Sequence, residues 1–230
     1  MHTNIKKIHL TLKNRYNNLN WWPVDKAYHI KNKTDPRFEI IIGAVLTQNT
    51  SWSNVEKALS NIKSKNMLDL KNISNVKINL LKELIKPSGF FNQKAKRLKE
   101  ITNHINNNYN GNLDDFFKKE MFELRDELLS INGIGPETAD SIILYAGKKP
   151  IFVVDAYTRR ICERIPFDTK LSYDEIQYYF QKELSKVYKK DQLTLVYNQL
   201  HAEIVNLAKD YCRKKPYCDD CPLRYICTFE

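Results

Sequence analysis

Four of the five cysteines in this 230-residue chain stand close together near its end, as Cys212, Cys218, Cys221 and Cys227. Thiolates are soft ligands, suited to iron–sulfur clusters or to zinc. A structural zinc site generally uses two close pairs separated by a longer loop. Here one close pair, Cys218 and Cys221, is flanked on either side by a single cysteine at medium distance. That loop suits wrapping around a cubane with four metal corners, and zinc is the alternative. Arg213, Lys214 and Lys215 lie inside its first spacer, so it presents a basic surface. Cys162 stands alone in an apolar helical context and reads as a core residue.

A second candidate lies upstream, in Leu128-Leu129-Ser130-Ile131-Asn132-Gly133-Ile134-Gly135-Pro136-Glu137-Thr138-Ala139-Asp140. The pattern predicts an amphipathic helix ending at Gly133 and another beginning near Pro136, since proline fits the first turn and Glu137 the positive end. Gly133 and Gly135 let the backbone turn tightly, and the N–H groups opening the second helix can hold a phosphate. A plain helix–turn–helix corner is the other reading. Beyond a Gly/Pro loop comes Val153-Val154-Asp155, followed by Arg159 and Arg160. An aspartate opening a helix is usually an N-cap; one behind a hairpin and before two arginines is also a candidate catalyst.

The elements that must position these residues are helical. Apolar residues recur at helical spacing at Phe38, Ile41, Ile42, Val45 and Leu46, at Val55, Ala58, Leu59 and Ile62, and over 174–188 and 193–208. Residues 103–112 read as a helix end and loop, and 151–154 as at most one short strand, too little for a sheet. The fold class is all-α. Hydrophobic residues make up 42 % of the chain, enough for a sizeable core. No apolar run approaches the roughly 18–20 residues that span a bilayer. No signal peptide is apparent, and the expected location is cytoplasmic, associated with the nucleoid through DNA. The net charge of +10 favours a polyanionic partner, although a Lys-, Asn- and Ile-rich composition also arises from codon bias.

Taken together, the hairpin, the Gly/Pro loop, Asp155 and the terminal cysteines resemble the helix-hairpin-helix, Gly/Pro, Asp arrangement of the endonuclease III superfamily of DNA glycosylases. The cysteine loop is similar to that family's [4Fe-4S] loop, with a first spacer one residue shorter. The resemblance implies two helical domains: a six-helix barrel with the hairpin over residues 36–148, and a composite of 1–35 with 149–230 carrying the cluster. The active site would lie between them. It also implies a monovalent cation, Na+ or K+, on the carbonyls of Leu129, Ile131 and Ile134, bridging to a phosphate of damaged double-stranded DNA. A monomer is expected.

Within the superfamily, bifunctional members carry a lysine in the second hairpin helix that forms a Schiff base with the sugar. The matching position here is Glu137, and a carboxylate cannot form an imine. The chain therefore resembles the monofunctional 3-methyladenine glycosylases of the endonuclease III type. Asp155 would stabilise oxocarbenium character on the sugar and orient water. Alkylated purines are already cationic and leave readily. Trp21-Trp22-Pro23 resembles the aromatic segment lining the base pocket in those enzymes, where stacking and cation–π attraction would hold a cationic base; a core anchor is the alternative. Gln48 matches the position that enters the duplex beside the extruded nucleotide, an extrusion the chemistry requires; an ordinary helix-end residue is the alternative. Lys209 and Lys215 are candidate phosphate or pocket contacts, and His201, on an apolar helix, reads as structural. Two other functions stay open: a bifunctional glycosylase/lyase for oxidised pyrimidines, and a non-catalytic, structure-specific DNA-binding protein.

Overall fold

A computed structural model describes residues 5–17, 19, 21–167, 170 and 172–229. Among them there are thirteen α-helices and no β-strand. The chain divides into two units, Trp22–Gly147 and Met1–Trp21 with Lys148–Glu230.

In the unit Trp22–Gly147 the apolar periodicity matures into α2 (Lys26–Asn32), α3 (Pro36–Leu46), α4 (Trp52–Ser64), α5 (Leu70–Asn75), α6 (Ile78–Ile85), α7 (Phe91–Tyr109), α8 (Leu113–Lys118), α9 (Met121–Ser130) and α10 (Pro136–Ser141). Helix α3 is the axis. Asp35 caps it, Pro36 opens it, and every residue from Phe38 to Leu46 is buried. A helix apolar on all faces belongs in the middle of a unit. Glu39, the one charge in that run, is 2 % exposed and fully engaged: it accepts from His29 Nε2 (2.8 Å), from the Asp25 N–H (2.9 Å) and from Lys63 Nζ (3.2 Å). These bonds tie the segment after Trp22 to α3 and α4.

Helix α7 runs to Tyr109, through the asparagines expected to end it. Its buried stripe, Ala95, Leu98, Ile101 and Ile105, keeps the helical register until Asn110 and Gly111 turn left-handed. Helix α9 stops earlier than Gly133, at Ser130, because Ile131 leaves the helix extended and turns its side chain into the core, 6 % exposed.

In the other unit α1 (Ile5–Tyr16), α11 (Ala156–Arg164), α12 (Tyr173–Ser185) and α13 (Lys190–Asp210) pack with α13 at the centre. The extended stretch 151–154 is buried without a strand beside it. Side chains of α12 replace the missing ladder: Gln181 Oε1 accepts from the Phe152 N–H (2.9 Å) and Gln177 Nε2 donates to the Phe152 carbonyl (2.6 Å). The Phe152 ring stacks on Phe180 at 4.6 Å between centroids. This lock delivers the chain to Asp155.

Candidate active site

Asp155 is the N-cap of α11, and its Oδ1 accepts from the Thr158 N–H at 2.7 Å. Its Oδ2 lies 3.4 Å from Nε2 of His201, on α13. The Asp155 side chain is only 13 % exposed. Burial opposes its ionisation, yet the His201 imidazole and the Thr158 N–H outweigh it and hold the carboxyl below the usual carboxylate range. The site thus contains a dry carboxylate kept charged. The apolar run around His201 hid this pairing, because only the packing of α11 on α13 brings the ring to Asp155.

The far end of α11 holds the cysteine loop. Arg160 Nε donates to the Cys212 carbonyl (2.7 Å); Arg164 donates to Cys212 Sγ (3.1 Å) and to the Arg213 carbonyl (2.8 Å). Cys212, Cys218, Cys221 and Cys227 all line one small cavity, with Tyr211, Pro216 and Phe229 around them. Among the described residues no three His, Cys, Asp or Glu side chains converge as ligands of a single metal ion would. Thiols spread around a cavity fit a group with several metal corners better than one ion, whose ligands must meet at one point. Burial pushes the Cys221 thiol up, a Leu223 backbone hydrogen bond opposes this, and the other three sulfurs add to the rise. Cys162 is buried and packs in the core of the same unit. Lys209 and Lys215 are exposed on this unit.

In the unit Trp22–Gly147 the hairpin joins α9 to α10. Gly133 turns with φ +87° and lies so close to Arg97 of α7 that a β-carbon there would overlap the Arg97 side chain. Gly135 is extended, nothing stands within 4 Å of where its β-carbon would be, and no side chain caps α10. The hairpin is thus packed on one glycine and open on the other, as close approach of a phosphate requires. Arg125 on α9 pairs with the fully buried Asp140 on α10 at 2.7 Å and braces the two helices. Leu129, Ile131 and Ile134 sit around this turn, the Ile131 carbonyl accepting from the Ile134 N–H (3.0 Å). Glu137 is exposed in the first turn of α10.

Gln48 follows α3 and reaches the hairpin. Its Nε2 donates to the Gly133 carbonyl (3.1 Å) and to Thr138 Oγ1 (2.9 Å), and its Oε1 accepts from Arg97. Phe90 belongs to none of the spaced motifs. This ring is 60 % exposed on a left-handed backbone (φ 45°), a conformation bulky residues rarely adopt and one that gathers at functional sites.

Trp22 packs against Gly43, where a β-carbon would lie 3.0 Å from the indole. It meets Trp52 edge-on at 5.2 Å and Tyr145 at 5.3 Å. Tyr145 belongs to a π-helical turn, Ile142–Ala146, that continues α10, a distortion frequent at functional sites. Trp52 and Tyr145 thus join Trp22 in an aromatic group that extends beyond the Trp21-Trp22-Pro23 segment. Trp21 falls in the other unit, and its ring is half-buried.

Residues 42–186 match the model of the HhH-GPD superfamily base excision DNA repair protein. A protein of Methanocaldococcus jannaschii, provisionally named a DNA repair glycosylase, is 46 % identical over 226 residues, covering 97 % of this chain and 95 % of its own. An endonuclease III of Thermotoga maritima is 29 % identical over 202 residues, 86 % of this chain and 84 % of that one. Among solved structures, the H. pylori 3-methyladenine DNA glycosylase bound to 1,N6-ethenoadenine superposes with a TM-score of 0.74 at 31 % identity, covering 90 % of this chain and 98 % of that chain. An endonuclease III–DNA covalent intermediate gives a TM-score of 0.75 at 20 % identity, over 99 % of this chain and 97 % of that one, and shares the fold. No described helix is long and apolar enough to cross a membrane. The chain belongs to the HhH-GPD superfamily of base excision DNA repair proteins.

Proposed function

We propose that this chain is a monofunctional DNA glycosylase that hydrolyses the N-glycosidic bond of alkylated purines, 3-methyladenine foremost, in damaged double-stranded DNA. The observation that carries the reading is the shielded Asp155, whose carboxyl His201 and the Thr158 N–H hold below the usual range; the glutamate at 137, where a lyase needs its lysine, supports the monofunctional form. Asp155 stabilises the cationic sugar as the bond breaks and takes a proton from the attacking water. An alkylated purine departs as a neutral base and needs no general acid. Trp22, with Trp52 and Tyr145 behind it and Pro23 next in sequence, offers aromatic surface on which a cationic base is attracted by about 0.5–2 kcal/mol. The relative from H. pylori named for 3-methyladenine supports the same substrate class.

DNA is held at the open hairpin through Gly133 and Gly135, with Na+ or K+ on the carbonyls of Leu129, Ile131 and Ile134, and at Lys209 and Lys215. Gln48 and Phe90 act as the wedges that fill the gap when the nucleotide is extruded. Cys212, Cys218, Cys221 and Cys227 would hold a [4Fe-4S] cluster, which supplies a structural cross-link to their loop. Arg164 contributes a hydrogen bond to one ligand sulfur.

Base-release chromatography from an alkylated duplex tests the reading: 3-methyladenine should appear, and borohydride should trap no covalent protein–DNA adduct. An adduct would favour the lyase reading that the endonuclease III relative supports, and binding without any base release would overturn catalysis. Iron–sulfur absorbance in the visible range, lost in Cys221→Ser, tests the cluster.

A further inference from the structure

Lys94 of α7 is fully buried, and the glycosylase chemistry leaves it without a task. Burying an ammonium costs several kcal/mol unless it is well partnered, and an apolar side chain would fill the same space without that cost. Burial pulls its pKa down to about 8. Among the described residues it makes no ion pair; its Nζ donates to two backbone carbonyls, those of Leu46 and Ser88, each at 2.7 Å.

Both carbonyls lie where helical hydrogen bonding runs out. Leu46 is the last residue of α3, and Ser88 ends the 3-10 turn Lys86–Ser88 that follows α6. Terminal carbonyls lack a partner in their own helix and favour a cation. Immediately beyond them the chain enters the two loops that carry the wedges: Gln48 follows Leu46 by two residues, and Phe90 follows Ser88 by two. Each loop has left-handed backbone, at Asn49 in one and at Gly89 and Phe90 in the other. Such conformations persist only where their surroundings over-determine them. One helical turn along α7, Arg97 binds the Gln48 carboxamide and lies against Gly133.

We propose that Lys94 and Arg97 are positioning residues for base extrusion: Lys94 ties the roots of the Gln48 and Phe90 loops to one point, and Arg97 aims Gln48 from the same helix face. The reason for a buried ammonium is then geometric. It is a single group able to bind the ends of two helices at once, so that both wedges meet the duplex at a fixed spacing. The inference rests on reading Gln48 and Phe90 as wedges.

A duplex with a tetrahydrofuran abasic analogue opposite 2-aminopurine reports wedge entry whichever base the enzyme removes. Saturating wild-type protein should change the 2-aminopurine fluorescence. Lys94→Met should keep its DNA Kd within about threefold, lose most of that change, and release base in single turnover about 10- to 100-fold more slowly. Arg97→Gln, at a half-buried position, should lose part of the change at unaltered affinity. Lys94→Met with a wild-type fluorescence change and rate would overturn the inference. If Lys94→Met fails to fold, Arg97→Gln decides, and a full change there overturns it. No change with the wild-type protein would instead overturn the wedge reading itself, and this inference with it.

Discussion

Two buried carboxylates bear on the same helix and end in opposite states. Asp155 meets α13 at His201; Glu203 lies two residues further along α13, about 200° around the helix, and faces α1. Each has a histidine near it: His201 Nε2 is 3.4 Å from Asp155, and His9 Nε2 is 4.0 Å from Glu203. The donors differ. Asp155 caps α11 and accepts from the Thr158 N–H, and its carboxyl is held below the usual range. Neither carboxylate oxygen of Glu203 has a hydrogen-bond partner among the described residues, and burial pushes its pKa up to about 8 despite Lys13 nearby. His9, bonded through Nδ1 to Tyr188 (2.9 Å), is pulled down to about 4, by burial first and then by Lys13. Burial thus does not decide charge by itself. The Thr158 N–H and the His201 imidazole favour the Asp155 anion, whereas Glu203, with His9 near it but no hydrogen-bond donor on either oxygen, is pushed toward its protonated form.

The comparison breaks most sharply at Asp155→Asn. Asparagine still caps α11, so the fold and DNA affinity should survive, while single-turnover base release falls by about 10³-fold or more. A variant within tenfold of wild type would remove Asp155 from the chemistry.

Glu203→Gln tests the other side through stability. With a folded pKa near 8 and a reference value of 4.5, Glu203 binds its proton more tightly in the folded chain. Its contribution is complete below about pH 4.5 and is lost as the pH rises through 8. Denaturant titrations should show the wild type falling relative to Glu203→Gln across that window, by about 4 kcal/mol at pH 8–9. His9 contributes in the opposite sense: its stability is present above 6.5 and lost as the pH falls through 4. Parallel pH curves for wild type and variant would mean that Glu203 is ionised when folded. Base release by Glu203→Gln should stay within about twofold of wild type, since the residue serves packing alone.

His201→Ala sharpens the contrast with a smaller effect. Losing the imidazole removes the largest influence that favours ionised Asp155, so the acid limb of the pH–rate profile should move to higher pH. The rate at neutral pH should drop about 10- to 100-fold. An unmoved acid limb would assign His201 to packing only.

Much of this was legible in the chain. The buried face of α3 follows from its apolar run, and the hairpin turn from two glycines and a proline. The asparagines of α7 misled because side-chain preference for loops is weaker than the burial of Ile101 and Ile105 beside them. His201, Trp52, Tyr145, Arg97 and Lys94 were not legible as site residues. Each acts on a partner distant in sequence, and none belongs to a spaced motif.

The sequence by itself determined which groups are present: a carboxylate at 155, a glutamate at 137, and four cysteines in one loop. Those are local facts, fixed by side-chain chemistry and by short stretches of backbone. The tertiary structure alone decided the surroundings of these groups, by bringing His201 to Asp155 and leaving Glu203 without a donor. It also set one buried ammonium, Lys94, between the ends of two helices. The physical reason is that charge state and loop pose depend on neighbours within a few ångströms, and packing, not sequence order, chooses those neighbours.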